Sequence, residues 1–177
     1  MKKTLVALLL SVSGFGGSAA ADSDLYLNAG ISAFDGDGAT LKALTARGGL
    51  AFHELLSAEL EASFGLGAED LDGVSGVELK LENQVGGYLV GRYPLLPNLE
   101  AIGRIGYTTG EFQASAGGVA GDIETDGFAF GLGGEYMITQ QLGLRGDYTR
   151  IEVDDDGLDG GVNAFALAAV YKFGSVR

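Results

Sequence analysis

Cysteine is absent from the chain, and histidine occurs only once, at His53. Without cysteine there is neither a disulfide framework nor a thiolate for catalysis or metal binding. Nucleophilic catalysis would otherwise need a serine beside a base and an orienting group, and one histidine in a short connector is a poor candidate for that base. Spacings typical of phosphate-binding loops and zinc sites are also missing. The sequence therefore indicates no enzyme, with no catalytic residues, no cofactor and no metal site.

Basic residues are scarce as well. Lys and Arg number 11 against 24 Asp and Glu, which gives a formal net charge of −13 at pH 7. A nucleic-acid partner is excluded, because such binding requires a basic surface. The same balance disfavours a polybasic patch on an anionic membrane surface. Apolar residues make up 46% of the chain, which is too many for intrinsic disorder, so a folded protein is expected.

Long apolar runs are missing too, and the one run near the N-terminus is short. Residues 5–12 form an apolar stretch after two N-terminal lysines. A membrane-spanning helix needs about 20 apolar residues, whereas a secretory signal peptide needs fewer. Three alanines at 19–21 then precede Asp22, as in a cleavage site. Residues 1–21 are predicted to be a cleaved signal peptide and residues 22–177 a single domain.

What the chain does contain is alternation of large apolar residues with other residues. The segment 163–173 puts Phe165, Leu167 and Tyr171 on one face of a strand and small residues on the other. A sheet exposed to water would carry charges on that second face, whereas the lumen of a narrow barrel needs small side chains. Most segments of this kind reach the ~9–11 residues of a tilted membrane strand. The eight segments are 25–34, 41–52, 56–66, 77–93, 99–112, 128–138, 142–153 and 162–173.

The connectors between these segments alternate in length and composition. Those after the second, fourth and sixth segments are short, at 53–55, 94–98 and 139–141. Those after the first, third, fifth and seventh are mostly longer, glycine-rich and acidic, at 35–38, 67–76, 113–127 and 154–161. Outer-membrane barrels have short periplasmic turns and longer extracellular loops. The pattern predicts an all-β fold, an eight-stranded antiparallel up-and-down transmembrane β-barrel whose acidic loops lie outside the cell.

Aromatic residues cluster at the ends of the predicted strands. Two girdles of rings are expected where the apolar band of a barrel meets the lipid headgroups. Phe34 fits the outer girdle less well, because it falls on the face of its segment that otherwise points to the lumen. The predicted periplasmic girdle is Phe52, Tyr93, Tyr136 and Phe173, and the predicted outer girdle is Phe64, Tyr107 and Tyr148.

Charged residues within the segments fall mainly on the face opposite the large apolar side chains. Lys42 and Arg150 are exceptions near strand ends, where long side chains can reach the headgroups. A soluble lipocalin-like barrel would have the reverse polarity, with an apolar interior and a charged exterior. Arg145 and Asp147, flanked by Glu135, form the predicted centre of a charge network that plugs the lumen. The predicted network comprises Arg47, Glu59, Glu61, Arg104, Glu135, Arg145 and Asp147, and the same face carries Lys80, Glu82, Arg92 and Lys172.

Three short stretches carry a resemblance to a known family. They are Leu50-Ala51-Phe52 leading into Ser57-Ala58-Glu59-Leu60, then Gly91-Arg92-Tyr93-Pro94, and the closing Val170-Tyr171-Lys172-Phe173. Together they resemble the OmpA-type eight-stranded outer-membrane barrels, a group that includes porin-family proteins. The resemblance implies a place in the outer membrane of a Gram-negative bacterium, insertion by the outer-membrane assembly machinery, and contact with membrane lipid and lipopolysaccharide. We expect a monomer.

Three functions remain open on sequence grounds. The favoured one is a structural or surface-interaction protein with a sealed lumen and acidic outer loops, whose partner the sequence does not identify. The second is a narrow channel for small solutes, and the third is a lipid-modifying enzyme, which the missing catalytic residues disfavour. The acidic stretches 35–38 and 154–159 could offer oxygen ligands to Ca²⁺ or Mg²⁺, but neither has the full pattern of a calcium-binding loop. A solvated acidic surface is the favoured interpretation.

The signal-peptide pattern gives a first prediction. Export and cleavage should leave Asp22 as the N-terminal residue of the protein in the outer-membrane fraction. N-terminal sequencing of protein from that fraction measures this, and mature protein that still begins with Met1 would contradict it.

Overall fold

A computed structural model describes residues 24–36, 39–70, 77–116, 119–153 and 160–173. This part of the chain contains nine β-strands and offers no helix that is long and apolar enough to cross a membrane. The predicted signal peptide lies outside the described residues. The strands are β1 (Asp24–Gly36), β2 (Ala39–His53), β3 (Leu56–Gly65), β4 (Ala68–Asp70), β5 (Val77–Leu96), β6 (Leu99–Ala116), β7 (Val119–Met137), β8 (Leu142–Val153) and β9 (Gly161–Lys172).

Eight of these strands form a closed ring. They pair antiparallel in the order β1, β2, β3, β5, β6, β7, β8 and β9, and β9 returns to pair with β1. β4 is a three-residue piece that continues the line of β3 and pairs with β5. Closure leaves no open edge around the ring, so the backbone groups of neighbouring strands can satisfy one another. The eight-stranded antiparallel barrel predicted from the sequence is confirmed.

The last strand closes the ring. Tyr26 of β1 lies opposite Lys172 of β9, and the N–H of Phe173 extends the ladder by donating to the carbonyl of Leu25 at 2.9 Å. The inner face of β9 carries small side chains such as Ala168, which is buried. These small residues leave space in the narrow lumen for larger side chains from the facing strands.

The two ends of the barrel differ. At one end, which we call the turn end, the connections β2–β3, β5–β6 and β7–β8 contain two to four residues. The hydroxyl of Thr139 organises the last of these turns by accepting hydrogen bonds from the N–H groups of Gln141 and Leu142, at 3.2 and 2.9 Å. The strand ends that lead into the predicted acidic connectors all lie at the opposite end, the loop end. Within them, residues 37–38, 71–76, 117–118 and 154–159 lie outside the described part of the chain.

The connector predicted at 113–127 is mostly a hairpin. β6 and β7 continue through it, with Gln113 opposite Asp122 and Ala116 opposite Val119. β7 pairs with β8 only from Gly127 onward, so the hairpin extends past β8 at the loop end. The prediction of a loop here is wrong: glycine and acidic residues are typical of loops, but here they lie in two paired strands.

Side-chain exposure is the reverse of that in a water-soluble barrel. Large apolar residues cover the outside, where Leu132 is 72% exposed and Ile31 is 60% exposed. Arg145 and Glu135 are instead 0% exposed, inside the lumen. In water this arrangement would leave a large apolar area uncovered, whereas in a bilayer the outer wall meets hydrocarbon. The polarity therefore excludes the lipocalin-like alternative.

Inward-facing glycines let the narrow ring hold bulky side chains. A Cβ on Gly106 would lie 2.1 Å from the carbonyl oxygen of Gly87 and 2.6 Å from Cδ1 of Tyr88. A Cβ on Gly49 would lie 2.1 Å from the ring of Tyr26. Both tyrosine rings therefore lie flat against the wall at places where a neighbouring strand has no side chain.

The outer wall gives a second prediction. Leu60 and Leu132 are exposed near the middle of the membrane-facing parts of β3 and β7. Leu60→Arg or Leu132→Arg should weaken insertion by about 2–4 kcal/mol, the cost of an arginine at the bilayer midplane. Ala120→Arg is the control, because Ala120 is exposed on the hairpin beyond β8. Refolding into lipid vesicles, read as the gel shift between heated and unheated samples, compares the variants; equal yields for all three would contradict a lipid-facing outer wall.

The inward glycines give a third prediction. Gly106→Ala should destabilise the barrel by about 1–3 kcal/mol, because the new methyl group meets backbone and the ring of Tyr88. Gly91→Ala is the matched control, since the nearest atom to its Cβ would be 3.9 Å away. Urea titration in detergent micelles measures both stabilities. A similar loss in the two variants would refute the steric role of Gly106.

Candidate functional site in the barrel lumen

Six charged side chains meet in the middle of the lumen, and we call them the central cluster. All six residues are buried, with no more than 8% of any of them exposed. Three guanidinium groups face three carboxylates, so the cluster has no net charge. Its members are Arg47 on β2, Glu59 and Glu61 on β3, Arg104 on β6, and Arg145 and Asp147 on β8.

Of the contacts in the central cluster, the one between Arg145 and Glu59 joins the strands that are farthest apart in the ring. β8 and β3 are four positions apart in either direction round the ring, so this contact crosses the full width of the lumen. Nη1 and Nη2 of Arg145 both donate to the Glu59 carboxylate, which is the bidentate geometry that suits a guanidinium. Nε of Arg145 donates to Oδ2 of Asp147 at 3.1 Å. All three nitrogens of the guanidinium are thus engaged by carboxylates.

Arg47 and Arg104 join the remaining carboxylates into one network. Arg47 donates from Nε to Glu61 Oε2 at 2.6 Å and from Nη1 to Asp147 Oδ2 at 2.8 Å. Arg104 donates from Nη2 to the same Glu61 oxygen at 2.8 Å and from Nη1 to Asp147 Oδ1 at 3.3 Å. Multiple charge-assisted hydrogen bonds of this kind are what offset the cost of removing ions from water.

A second group of charges, the turn-end cluster, lies nearer the turn end. It consists of Arg92 on β5, Glu100 on β6, Glu135 on β7 and Lys172 on β9. Glu135 accepts a hydrogen bond from Arg92 Nη1 at 3.0 Å and lies 2.7 Å from Lys172 Nζ. Glu100 pairs with the same two cations at 3.2 and 3.5 Å. Arg92 also lies 3.9 Å from Glu59, which connects the two clusters.

The seven network residues predicted from the sequence therefore fall into two clusters rather than one. Glu135 lies opposite Arg145 in the β7–β8 register, as expected for a flanking residue. Its ion pairs, however, go to Arg92 and Lys172. The difference arises because side chains in a narrow lumen reach across the ring as readily as along one wall.

Three further positions differ from the sequence-based assignment. Glu100 belongs to the lumen but is absent from the predicted network. It lies four residues from Arg104 on β6, so strict alternation along the strand puts the two side chains on the same face. Glu82 is exposed, because a β-bulge between Leu81 and Asn83 shifts the register, so its inward assignment is wrong. Lys80 lies beyond the same bulge, where β5 pairs with both β4 and β6. It falls on the face of β5 opposite to the buried Leu81, so its inward assignment is wrong too.

Two tyrosines, Tyr26 and Tyr88, brace the clusters against the wall. Each hydroxyl donates to a carboxylate of the central cluster, that of Tyr26 at 2.7 Å and that of Tyr88 at 3.3 Å. The guanidinium of Arg92 lies 4.6 Å from the ring centroid of Tyr26, and that of Arg104 lies 3.5 Å from the ring centroid of Tyr88. Such cation–π contacts are strongest where the cation is removed from water, as it is here.

Towards the loop end, the lumen changes from charged to hydroxyl and then to apolar side chains. Ser32, Thr45 and Ser63 form a chain of hydroxyls with spacings of 2.7 and 2.8 Å. Beyond them lies a buried apolar group that we call the apolar cap. Phe34 belongs to it, because its side chain lies on the lumen face of β1, so it is not part of the outer girdle. The apolar cap comprises Phe34, Leu41, Ala43, Leu81, Ile151 and Ala164.

The predicted girdle residues all lie on the outer wall, and each is exposed. Neighbouring rings extend them, with Tyr148 packed against Phe165 at a centroid distance of 5.2 Å and Tyr171 against Phe173 at 4.8 Å. Phe52, Tyr93, Tyr136 and Phe173 lie towards the turn end, and Phe64, Tyr107 and Tyr148 lie towards the loop end.

The charged groups of these sites are engaged in ion pairs. The lumen carboxylates are held by arginine or lysine, which is the environment of structural charges. His53 lies at the end of β2, where its Nδ1 accepts a hydrogen bond from the N–H of Leu55 at 3.1 Å. Within the described ranges, no three His, Asp or Glu side chains are grouped to hold a metal ion.

Three bacterial proteins of solved structure share this fold. Neisserial surface protein A gives a TM-score of 0.63 at 12% identity, over 85% of this chain and 97% of that one. The N-terminal β-barrel domain of Pseudomonas aeruginosa OprF gives 0.62 at 12% identity, over 85% and 97%. Ail, the attachment invasion locus protein of Yersinia pestis, in complex with the heparin analogue sucrose octasulfate, gives 0.59 at 13% identity, over 85% and 97%. Identities this low establish the fold alone.

A comparison with curated proteins finds no match. The sequence nevertheless matches the family described as the outer membrane protein beta-barrel domain over residues 5–173, nearly the whole chain. The closed ring of eight strands and the apolar outer wall agree with that match. The chain therefore belongs to the outer membrane protein beta-barrel domain family.

Proposed function

We propose that this barrel is sealed, and that it acts as a structural and surface-interaction protein of the outer membrane through its acidic loop end. The observation that carries the proposal is the bidentate contact of Arg145 with Glu59 across the full width of the lumen. A channel would need water along its axis at this level. Here the axis is crossed by side chains from opposite walls.

The lumen has little capacity to conduct in this arrangement. A barrel of eight strands is just wide enough to be filled by its own side chains. A hydrated ion would have to separate buried guanidinium–carboxylate pairs, and each separated partner would be left without a counter-charge, which is costly. The apolar cap on the loop-end side offers no ligands to an ion, so it adds a second barrier.

The surface role rests on the charge of the loop end. Glu111, Glu124 and Asp126 are exposed near or on the hairpin that extends past β8, and the sequence at 154–159 contains four aspartates. Outside the cell, such a surface repels other anions and stays hydrated. Ail binds a sulfated sugar in its solved complex. A polyanion of that kind would be repelled by the loop end of this chain, so a neutral or cationic partner fits it better.

A narrow channel for small solutes is the second candidate. The observation that favours it is the polar character of the lumen from the turn end up to the hydroxyls of Ser32 and Thr45. Glu100 and Lys172 are partly exposed, with 30% and 26% of their side chains accessible, so the turn end admits water to their level. A lipid-modifying enzyme finds no support of this kind in the lumen.

The plug gives a fourth prediction. Arg145→Ala should lower the stability of the barrel by about 3–5 kcal/mol, because Glu59 and Asp147 would lose a buried partner. It should also create a small ionic leak through an otherwise silent barrel. Urea unfolding in lipid vesicles measures the stability, and planar-bilayer recording of the refolded protein measures the leak.

Lys42→Ala is the control for that prediction. The ion pair of Lys42 with Glu69 is exposed at the loop end, so its loss should change stability by no more than about 1 kcal/mol and conductance not at all. A wild-type barrel that already conducts steadily, with stability and conductance unchanged by Arg145→Ala, would overturn the sealed lumen in favour of the channel.

A further inference from the structure

We propose that the outer wall of the barrel holds one phosphorylated lipid of the outer leaflet, with its phosphate on Arg150 and an acyl chain in a groove below it. The proposal rests on the orientation in the proposed function, with the loop end outside the cell. It adds a binding site on the lipid-facing surface, outside the lumen.

The groove lies on the outer wall and has a volume of about 520 Å³. One row of facing residues across four strands sets its cross-section: Leu56, Gly91, Gly103 and Leu132 lie side by side in the registers of β3, β5, β6 and β7. Two glycines form the floor and two leucines form the sides. Its lining also includes Leu89, Ile105, Phe130 and Tyr148.

The barrel itself does not require glycine at the floor of the groove. A Cβ on Gly91 would come no closer than 3.9 Å to another atom, and one on Gly103 no closer than 3.8 Å. By contrast, a Cβ on the inward Gly106 would lie 2.1 Å from backbone. Side chains at the two outward positions would fit and would fill the recess. What the glycines provide is therefore room on the membrane side of the wall.

Arg150 lies at the end of the groove nearest the loop end. It is opposite Phe130 in the β7–β8 register and two residues beyond Tyr148 on the same face of β8. Its Nη1 donates to the carbonyl of Gly161 and to Oδ1 of Asn163, each at 3.2 Å. A Cβ on Gly161 would lie 2.2 Å from Nη2, so the guanidinium is held flat on this glycine.

Within the described part of the chain, Arg150 has neutral oxygens as its hydrogen-bond partners and is paired with no carboxylate. Glu152 is exposed on the same face of β8, but it forms no ion pair with Arg150, and neither does any other carboxylate among the described residues. Lys42, another cation on the outer wall, is paired with Glu69 at 3.3 Å. Arg150 is thus a fixed, planar cation at the level of the outer aromatic residues, which is where lipid phosphates lie.

The groove and the guanidinium of Arg150 together fit one ligand, a lipid with a phosphate group and an acyl chain. A guanidinium binds phosphate through parallel hydrogen bonds, and Arg150 has Nε and Nη2 available on the side away from Asn163. Phe130 and Tyr148 adjoin both Arg150 and the groove, so a chain attached to that phosphate would enter the groove directly. Because hydrocarbon surrounds the whole wall, selectivity has to come from the headgroup and from the shape of the recess rather than from apolarity.

The test measures lipid retained by the refolded full barrel, using native mass spectrometry in mild detergent. Two lipids are titrated, the phosphorylated lipid A and the zwitterionic phosphatidylcholine, and inorganic phosphate is added as a competitor. Wild type should retain lipid A in preference to phosphatidylcholine at a stoichiometry of one. Arg150→Gln should weaken lipid A binding by about tenfold or more, as expected for loss of hydrogen bonds between charged groups.

Filling the floor tests the groove separately. Gly103→Leu should also reduce lipid A retention, and Gly91→Val provides a second variant in case the first folds poorly. The matched controls are Gly87→Leu, an exposed outward glycine outside the groove, and Lys42→Gln. Both controls should bind as wild type does, and all variants should keep the heat-dependent gel shift of a folded barrel.

Several outcomes would overturn the proposal. The proposal is wrong if wild type retains the two lipids equally. It is also wrong if Arg150→Gln and the floor variants all retain as much lipid A as wild type does. Displacement of lipid A by millimolar inorganic phosphate would mean that Arg150 binds the anion without the chain. Conductance of the same samples is recorded in parallel, so an open lumen would disprove the sealed barrel without changing the lipid result.

Discussion

Inside a bilayer no water is available to an unpaired backbone group, so a sheet that crosses it has to close on itself. Eight strands do so here, and the small radius of that ring decides what the lumen can contain. Tyr26 and Tyr88 fit because Gly49 and Gly106 carry no side chain where the rings lie. Arg145 and Glu59 meet because two long side chains from opposite walls together span the ring. The contents of the lumen thus follow from its curvature.

Charge balance is the second consequence of that narrow space. The central cluster sets three arginines against three carboxylates, and the turn-end cluster sets two cations against two. Each cluster is therefore neutral separately, which matters because buried charges of one sign cannot be screened by distant partners in such a place. On the outer wall the opposite condition applies, since Arg150 faces a medium whose headgroups supply the anion.

Side chains alternate between the two faces of a strand, and this alternation, which we call parity, explains why much of the arrangement could be predicted from the sequence. A period of two depends on local order alone, and it placed Arg47, Arg145 and Asp147 on the inner face where the structure also has them. Which side chains form ion pairs across the ring depends on the stagger between strands, and the sequence does not reveal that stagger. The ion pair of Glu135 with Arg92 was therefore not predicted. Parity also fails beyond a bulge, as at Glu82. The hairpin within 113–127 was not predicted, because its sequence lacks the apolar alternation that marks a strand.

The contact between Arg145 and Glu59 also bears on how the barrel is assembled. Glu59 lies on β3 and Arg145 on β8, and these strands are four positions apart in either direction along the sheet. In a sheet that has not yet closed, the two residues therefore lie far apart. They meet only when the last seam forms, in the same step that completes the backbone ladder. Before that step the charges need water, and after it they exclude water. Dehydration of the lumen and closure of the wall are therefore a single cooperative event, and a barrel missing one strand gains the stabilisation of neither.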